Sequence, residues 1–381
     1  MNRRLRQPTL FESSAAAAVA DLFDPARLTQ ARVLAGLTKQ ELADALGVSA
    51  AAIGQYEAGI TAPRPDHLKR LAEILGYPLV FLAKGRPYVR IDASMAHFRS
   101  LRSTRVGQRA KAIEVAEQLW ELTNALERHV ELPAVDLPPV AGGRTTVAQP
   151  ETLAHEVRRY WGIGSGPFPH VVRTLEVHGI VVSLVSMTDE EVARVDAFST
   201  SILPRPIVIL TPDRANDVYR HRFTACHELG HLLLHRNVIP GDLEQEKEAD
   251  RFAAELLTPA AEIADELSIR VRIPVLEEVG RRWGVSAKSL VLRSKELGLI
   301  SEVSARRAYQ RLEQARTAGL LRPEPITNYP GETPVLLASA FGLAEQHGLD
   351  LKTLAAELAW PLRRVRQFLG QPDPRPSLRL V

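Results

Sequence analysis

From Arg27 onward the apolar residues recur every three to four positions and are interrupted at regular intervals by turn signals. Arg27 to Ala35 reads as one helix. Thr38, with Glu41 three residues on, forms a capping box that opens a second helix, Gly47 breaks it, and Ser49 caps a third that runs to Glu57. Short helices separated by a tight glycine turn are helix-turn-helix spacing. From Gly107 to about Val130 the positions Ala110, Ile113, Ala116, Leu119, Leu122 and Leu126 predict one long amphipathic helix, able to link domains or to pair in a homodimer. Residues 132–150, LPAVDLPPVAGGRTTVAQP, break the pattern with Pro and Gly and read as a linker. Helices are then expected over Glu151–Tyr160 and Pro169–His178, followed by strand-like runs at 180–185, 196–200 and 206–210. Helical period returns over 220–235 and again in EQEKEADRFAAELLTP. Residues 276–300 show a second helix-turn-helix cadence with Gly284 at its turn, and DLKTLAAELAWPLRRVRQFLG shows a third. The pattern predicts a mainly α protein with a small antiparallel sheet (α+β). Its expected divisions are a flexible tail (1–22), a helix-turn-helix domain (23–85), a basic segment and long linking helix (86–131), the linker (132–150), a mixed domain (151–300) and a helical C-terminal region with a basic tail (301–381).

Length and composition narrow this picture. At 381 residues the chain is too long for one ordinary core, and its 45% hydrophobic and 24% charged residues are those of a globular protein. A single cysteine excludes an internal disulfide framework and fits a reducing compartment. The basic, alanine-containing start lacks the longer apolar core of a signal peptide, and no stretch approaches a membrane span, so a cytoplasmic location without a membrane partner is expected. The balance of 48 basic to 45 acidic residues leaves only +3, so any nucleic-acid binding must come from local clustering. Such a cluster exists: Arg86, Arg90, Arg99, Arg102, Arg105, Arg109 and Lys111 face only Asp92 between residues 86 and 111. That segment is either a phosphate-contacting patch or a solvated face.

The chemistry concentrates in RHRFTACHELGHLLLH, residues 220–235, which contains HExxH. On a helix His227 and His231 lie about 40° apart and can close on one metal ion, with Glu228 beside the first as general base. Neutral imidazoles suit Zn²⁺, and a catalytic zinc needs one further protein ligand besides water. Glu244, Glu246, Glu248 and Asp250 all offer oxygens in the following acidic helix. Glu246 shares a face with Ala249, Asp250 and Ala253 next to an apolar stripe, whereas Glu248 aligns with Arg251 and Glu255 on a wetter side, so Glu246 is the expected third ligand. Asp250, one turn on, can accept a hydrogen bond from the second nitrogen of a ligating histidine. His235 continues the His231 face, either as a fourth ligand or hydrogen-bonded beside the site.

RFTACHELGHLLLH followed by EKEADRFAAELLTP closely resembles the IrrE/ImmA-like metallopeptidases, over about residues 150–300. The resemblance implies a zincin-like domain with one Zn²⁺ per chain. His227 and His231 match the family's zinc ligands, Glu228 its catalytic glutamate, and Glu246 the first glutamate of its following ExxA-type helix. It also implies a small sheet leading into the HExxH helix, with an edge strand able to hold an extended peptide. Cys226 departs from the small apolar residue usual at its position and places a thiol beside the metal, in a packing role or a redox or inhibitory one. LTKQELADALGVSAAAIGQYEAGITAPRPDHLKRLAEIL looks like the DNA-binding domain of XRE-type repressors, and HFRSLRSTRVGQRAKA is similar to a segment found in proteins that carry both domains. In that family the third helix enters the major groove of double-stranded DNA, making Lys39, Gln40, Ser49, Gln55 and Arg64 candidate contacts, with Arg99, Arg102 and Arg105 of the basic segment. Ser49, Ala50, Ala51 and Ala52 stand where base edges are read, and alanine cannot hydrogen-bond a base, so direct readout should be poor. The combined resemblance implies a regulator that binds DNA and cleaves a repressor or other regulatory protein. The alternatives are a transcription factor whose zinc is sensory or structural, and a toxin–antitoxin or phage-type control protein.

Overall fold

The computed structural model describes residues 10–92, 97–98, 106–139, 149–184, 197–200, 203–210, 218–235, 242–321 and 332–371. In chain order the elements are α1 (Leu10–Asp21), α2 (Pro25–Leu34), α3 (Lys39–Leu46), α4 (Ala50–Glu57), α5 (Pro65–Leu75), β1 (His97–Phe98), α6 (Val106–Glu127), α7 (Pro150–Tyr160), α8 (Val171–Val177), β2 (Val181–Leu184), β3 (Ala197–Thr200) and β4 (Ile207–Leu210). They continue with α9 (Val218–Leu234), α10 (Leu243–Leu257), α11 (Ala260–Ile263), α12 (Ile273–Trp283), α13 (Ala287–Glu296), α14 (Glu302–Thr317), α15 (Leu336–Gln346), α16 (Leu351–Leu358) and α17 (Leu362–Phe368). The chain is mainly α with one small sheet. It divides into two compact units, one of residues 1–91, 105–131 and 337–381, the other of residues 92–104 and 132–336.

In the first unit the local signals act as the sequence suggests. The Thr38 side chain accepts from Glu41 N–H while Glu41 accepts from Thr38 N–H, so two donors at the start of α3 are satisfied reciprocally. Gly47 ends α3 with φ of 80°, a left-handed conformation that costs a glycine little, and Ser49 caps α4 by accepting from Ala52 N–H. Leu28, Ala31, Leu42, Leu46, Ile53, Leu68 and Leu71 are buried among these helices. The long helix α6 is not a solvated connector. Glu117, Gln118 and Glu121 are buried with its apolar positions, and each has a partner inside the unit. Arg27 places its guanidinium 2.5 Å from Glu121 and 3.0 Å from the Pro87 carbonyl, and lies over the Tyr88 ring. Glu117 accepts from Ile91 N–H and from the Tyr88 hydroxyl. The C-terminal helices join the same unit, with Arg364 donating to Gln118 and Arg128 to Glu357.

The second unit is built on the strand order β1-β3-β4-β2. β1 pairs antiparallel with β3 (His97 opposite Ser199), and β3 pairs antiparallel with β4 (Ser199 opposite Val208). The expectation of an antiparallel sheet fails for one pair: β2 runs parallel to β4. β4, buried at all four residues, takes the central place between β3 and β2, which brings two strands of the same direction together. One apolar core, including Leu153, Val172, Val208, Leu229, Phe252, Leu256, Trp283 and Leu290, joins α7 to α14 and the sheet. Buried arginines staple the surrounding loops. Arg158 donates to the carbonyls of Leu256, Gly164 and Gly166, and Arg222 to those of Gly284 and Phe168 and to Glu332, which accepts from Val171 and Val172 N–H at the start of α8. Among the described residues no helix is long and apolar enough to cross a membrane.

Candidate metal centre

α9 and α10 form the centre by packing face to face. Gly230 permits this, since a Cβ there would meet Phe252 at 3.0 Å and the Ala249 backbone at 3.2 Å. The contact brings Glu246, in the first turn of α10, against the two histidines one turn apart on α9. His227 Nε2 and His231 Nε2 lie 3.0 Å apart, and the Glu246 carboxylate oxygens lie 3.4 Å from His231 Nε2 and 3.6 Å from His227 Nε2. Both rings are 1% exposed. These residues form a group whose ligand atoms all lie within 4.8 Å of one another.

The outer nitrogens decide whether the group suits a cation. His227 Nδ1 is 2.8 Å from Asp250 Oδ1, and a carboxylate can only accept, so the ring carries its proton at Nδ1 and turns the Nε2 lone pair inward. His231 Nδ1 is 2.9 Å from His235 Nδ1, and His235 Nε2 is 2.9 Å from Glu248 Oε2. By the same logic His235 donates to Glu248 and accepts from His231, which again leaves the His231 Nε2 lone pair facing inward. Burial pushes His235 below its ordinary value against the opposing pull of Glu248, which favours this neutral ring. Two converging lone pairs and a carboxylate repel one another unless a cation lies among them, and this N,N,O set suits Zn²⁺.

Glu228 is fully buried, and Ser199 Oγ on β3 donates to its Oε2 over 2.7 Å. Glu228 thus directly follows His227 on α9, with its carboxylate held by β3 of the sheet. Asp250 and Glu246 stand where the helical periodicity put them. Glu248, assigned from sequence to a wetter side, instead holds His235. His235 and Glu248 therefore belong to the support of the site, and only the i+4 spacing of His235 from His231 hinted at it. Ser199 and Arg222 carried no local signal, since their partners lie 29 to 110 residues away. Arg293 is buried, ion-paired with Glu255 and donating to the Thr258 carbonyl. A cavity of about 600 Å³ lies between α9, α10 and α13, and Asp250 lines it together with Arg220, Lys247 and Lys288.

Cys226 is 0% exposed, and burial pushes its thiol far up. A thiol so held is a packing group. The native protein is therefore expected to incorporate less than a few per cent of one equivalent of iodoacetamide at pH 8, with full labelling only in denaturant. Rapid native labelling would restore the redox reading.

Of the expected DNA contacts, Lys39, Gln40, Ser49, Gln55 and Arg64 are exposed on the first unit, around α3, α4 and the start of α5. Lys39 also lies 3.3 Å from Glu57, Gln40 donates to Asp44, and the Ser49 hydroxyl is spent on its cap. Arg86 leaves the basic cluster: it donates to the Val80 and Phe81 carbonyls, and burial beside Arg27 pushes its pKa down to about 10. Arg99, Arg102 and Arg105 lie outside the described residues.

Comparison with protein families matches residues 175–295 to the IrrE N-terminal-like domain of the M78 peptidases and residues 28–82 to a helix-turn-helix domain. The chain thus joins an XRE-type helix-turn-helix domain to a metallopeptidase-like domain. Comparison with curated proteins and with solved structures gives no match.

Proposed function

We propose that the chain is a cytoplasmic DNA-binding transcriptional regulator carrying a zinc-dependent endopeptidase, whose substrate is a repressor or other regulatory protein. The observation that carries this reading is the pair of imidazoles fixed by Asp250 and by His235 with Glu248, so that both Nε2 lone pairs meet Glu246 beside a buried Glu228. His227, His231 and Glu246 would hold one zinc ion, which when bound supplies Lewis acidity toward a water and a peptide carbonyl. Glu228 would take the proton of the attacking water on a carboxylate oxygen and pass it to the leaving amine, while Ser199 holds the other oxygen in place. Asp250 and His235 would keep the ligand rings in their metal-binding tautomers. Incubating the zinc-loaded protein with candidate repressors is expected to give one defined cleavage that a chelator abolishes; intact repressors at full zinc occupancy would remove the peptidase assignment.

DNA affinity is proposed to reside in the helix-turn-helix domain, with Lys39, Gln40, Ser49, Gln55 and Arg64 at the duplex, and in the following basic segment. Replacing Arg99, Arg102 and Arg105 together by alanine should flatten the dependence of log K on log salt by about 2 to 3, roughly 0.9 for each phosphate no longer neutralised. An unchanged slope would make the segment a solvated face. Replacing Gln40 or Gln55 should instead alter preference among sequences more than the salt slope.

A further inference from the structure

The cavity of about 600 Å³ between α9, α10 and α13 borders the metal centre through Asp250, which lines it, whereas His227, Glu228, His231 and Glu246 do not. His227 presents Nδ1 to Asp250 and Nε2 to His231 and Glu246, so a molecule in the cavity meets the support of the ring and not the ligand atoms. The volume lies within the roughly 300–1,000 Å³ of small-molecule sites. Its surface is mostly apolar. Phe223, Leu257, Leu290, Leu292 and Tyr309 supply that face, and Leu292 is 44% exposed.

Cations outnumber carboxylates around it, with Arg220, Lys247, Arg251, Lys288 and Arg293 against Asp250 and Glu296. Most of them are committed elsewhere. Arg251 donates twice to Glu151, Arg293 donates to Glu255 and the Thr258 carbonyl, Lys247 pairs with Glu244, and Arg220 is engaged as well. Lys288 makes no hydrogen bond or ion pair among the described residues, and Glu313 acts on it only at longer range. It stands in the first turn of α13, where the helix dipole adds partial positive charge. We propose that this cavity is an effector site for a small molecule joining an apolar, ring-sized body to one anionic group, the anion at Lys288 and the body against the apolar face, and that Asp250 carries its occupancy to His227. The Asp250 side chain is 55% exposed although the ring it holds is 1% exposed. An apolar body in the cavity excludes water from that carboxylate, and the same hydrogen bond is stronger in a lower dielectric. His227 is then held more firmly with its Nε2 lone pair inward. The site stands independently of the peptidase reading, and its link to His227 rests on zinc being held there.

The test uses full-length, zinc-loaded protein, with 1-naphthalenesulfonate as the probe and uncharged 1-naphthylmethanol as its comparison, each titrated by calorimetry. Saturable binding of the sulfonate at one equivalent per chain is expected. Lys288→Ala should weaken the sulfonate about tenfold and leave the alcohol unchanged, because only the sulfonate makes a charge-assisted contact. Ala254→Trp, which fills the cavity from the α10 wall, should abolish binding of both. Saturating sulfonate should also tighten zinc about fivefold in competition with a chelating dye, and should have no such effect in Ala254→Trp. No saturable binding, equal sulfonate affinity in the wild type and Lys288→Ala, or undiminished binding in Ala254→Trp would overturn the site. A zinc affinity that the sulfonate leaves unchanged would overturn the effector role. Zinc content is measured in the same samples, so a centre that holds no zinc fails separately from the ligand site.

Discussion

Replacing His227 or His231 by alanine is expected to empty the metal centre and lower the apparent stability of the second unit by about 4 kcal/mol at a free zinc concentration a thousandfold above the dissociation constant, since metal bound only by the folded state adds RT ln(1 + [L]/Kd). The two rings meet at 3.0 Å and each is fixed by its own outer partner, so neither can be lost without breaking the ligand set. Glu246→Gln keeps the volume of the side chain and one oxygen but loses the charge, and should weaken zinc by orders of magnitude without removing the site. Asp250→Asn and Glu248→Gln change only the support of the rings and are expected to cost about 10- to 100-fold in affinity. Thermal melts with and without chelator separate these cases. The wild-type melting temperature should fall on chelation to that of the His227→Ala protein, which should not respond to chelator. A wild-type melt indifferent to chelator would place no metal at this centre.

The second large effect lies in the first unit. Arg27 and Glu121 are buried to 1% and 4% exposure, and Glu121 is the carboxylate that faces the Arg27 guanidinium. Glu121→Ala leaves that cation desolvated with only the Gln30 side chain and the Pro87 carbonyl as hydrogen-bond acceptors, so a loss of about 3 to 5 kcal/mol is expected. The double change Arg27→Met/Glu121→Leu removes both charges and should recover most of it, because a buried pair contributes little beyond what packed apolar groups would. Denaturant titration of the three proteins checks this. Glu121→Ala as stable as wild type would mean that water reaches Arg27 and that α6 is not the centre of the unit.

What the sequence made legible was local. The Thr38–Glu41 capping box, Gly47 and Ser49 act within three residues, and their geometry follows from residue type alone. The i,i+4 histidines face one way on any helix. Long-range partnership was not legible. Arg27 and Glu121, 94 residues apart, each look like the solvated side of an amphipathic helix, and the burial of Glu117 and Gln118 on α6 follows only from what α2, the Tyr88 region and α17 bring to them. Arg293 had the same disguise. Its long apolar stem suits the surface of α13, and only the placement of Glu255 and the Thr258 carbonyl turns it inward. Strand positions could be read from β-branched runs, but neighbour order could not. β4 displaced β3 from β2, and the pair that resulted is parallel. The same order brought β3 to α9, so the support of Glu228 by Ser199 depends on topology rather than on any motif.

The most direct test of the central proposal is Glu228→Gln in the full-length protein, measured for zinc content and for cleavage of the cognate repressor in parallel. Glu228 is proposed to handle protons and is not one of the three grouped ligand residues, so stoichiometric zinc and an unchanged melting temperature are expected, with the cleavage rate reduced by about 10² to 10⁴. If the variant retains zinc and its control of gene expression in cells is undiminished, while His227→Ala abolishes that control, the metal serves sensing or structure and the endopeptidase reading is contradicted.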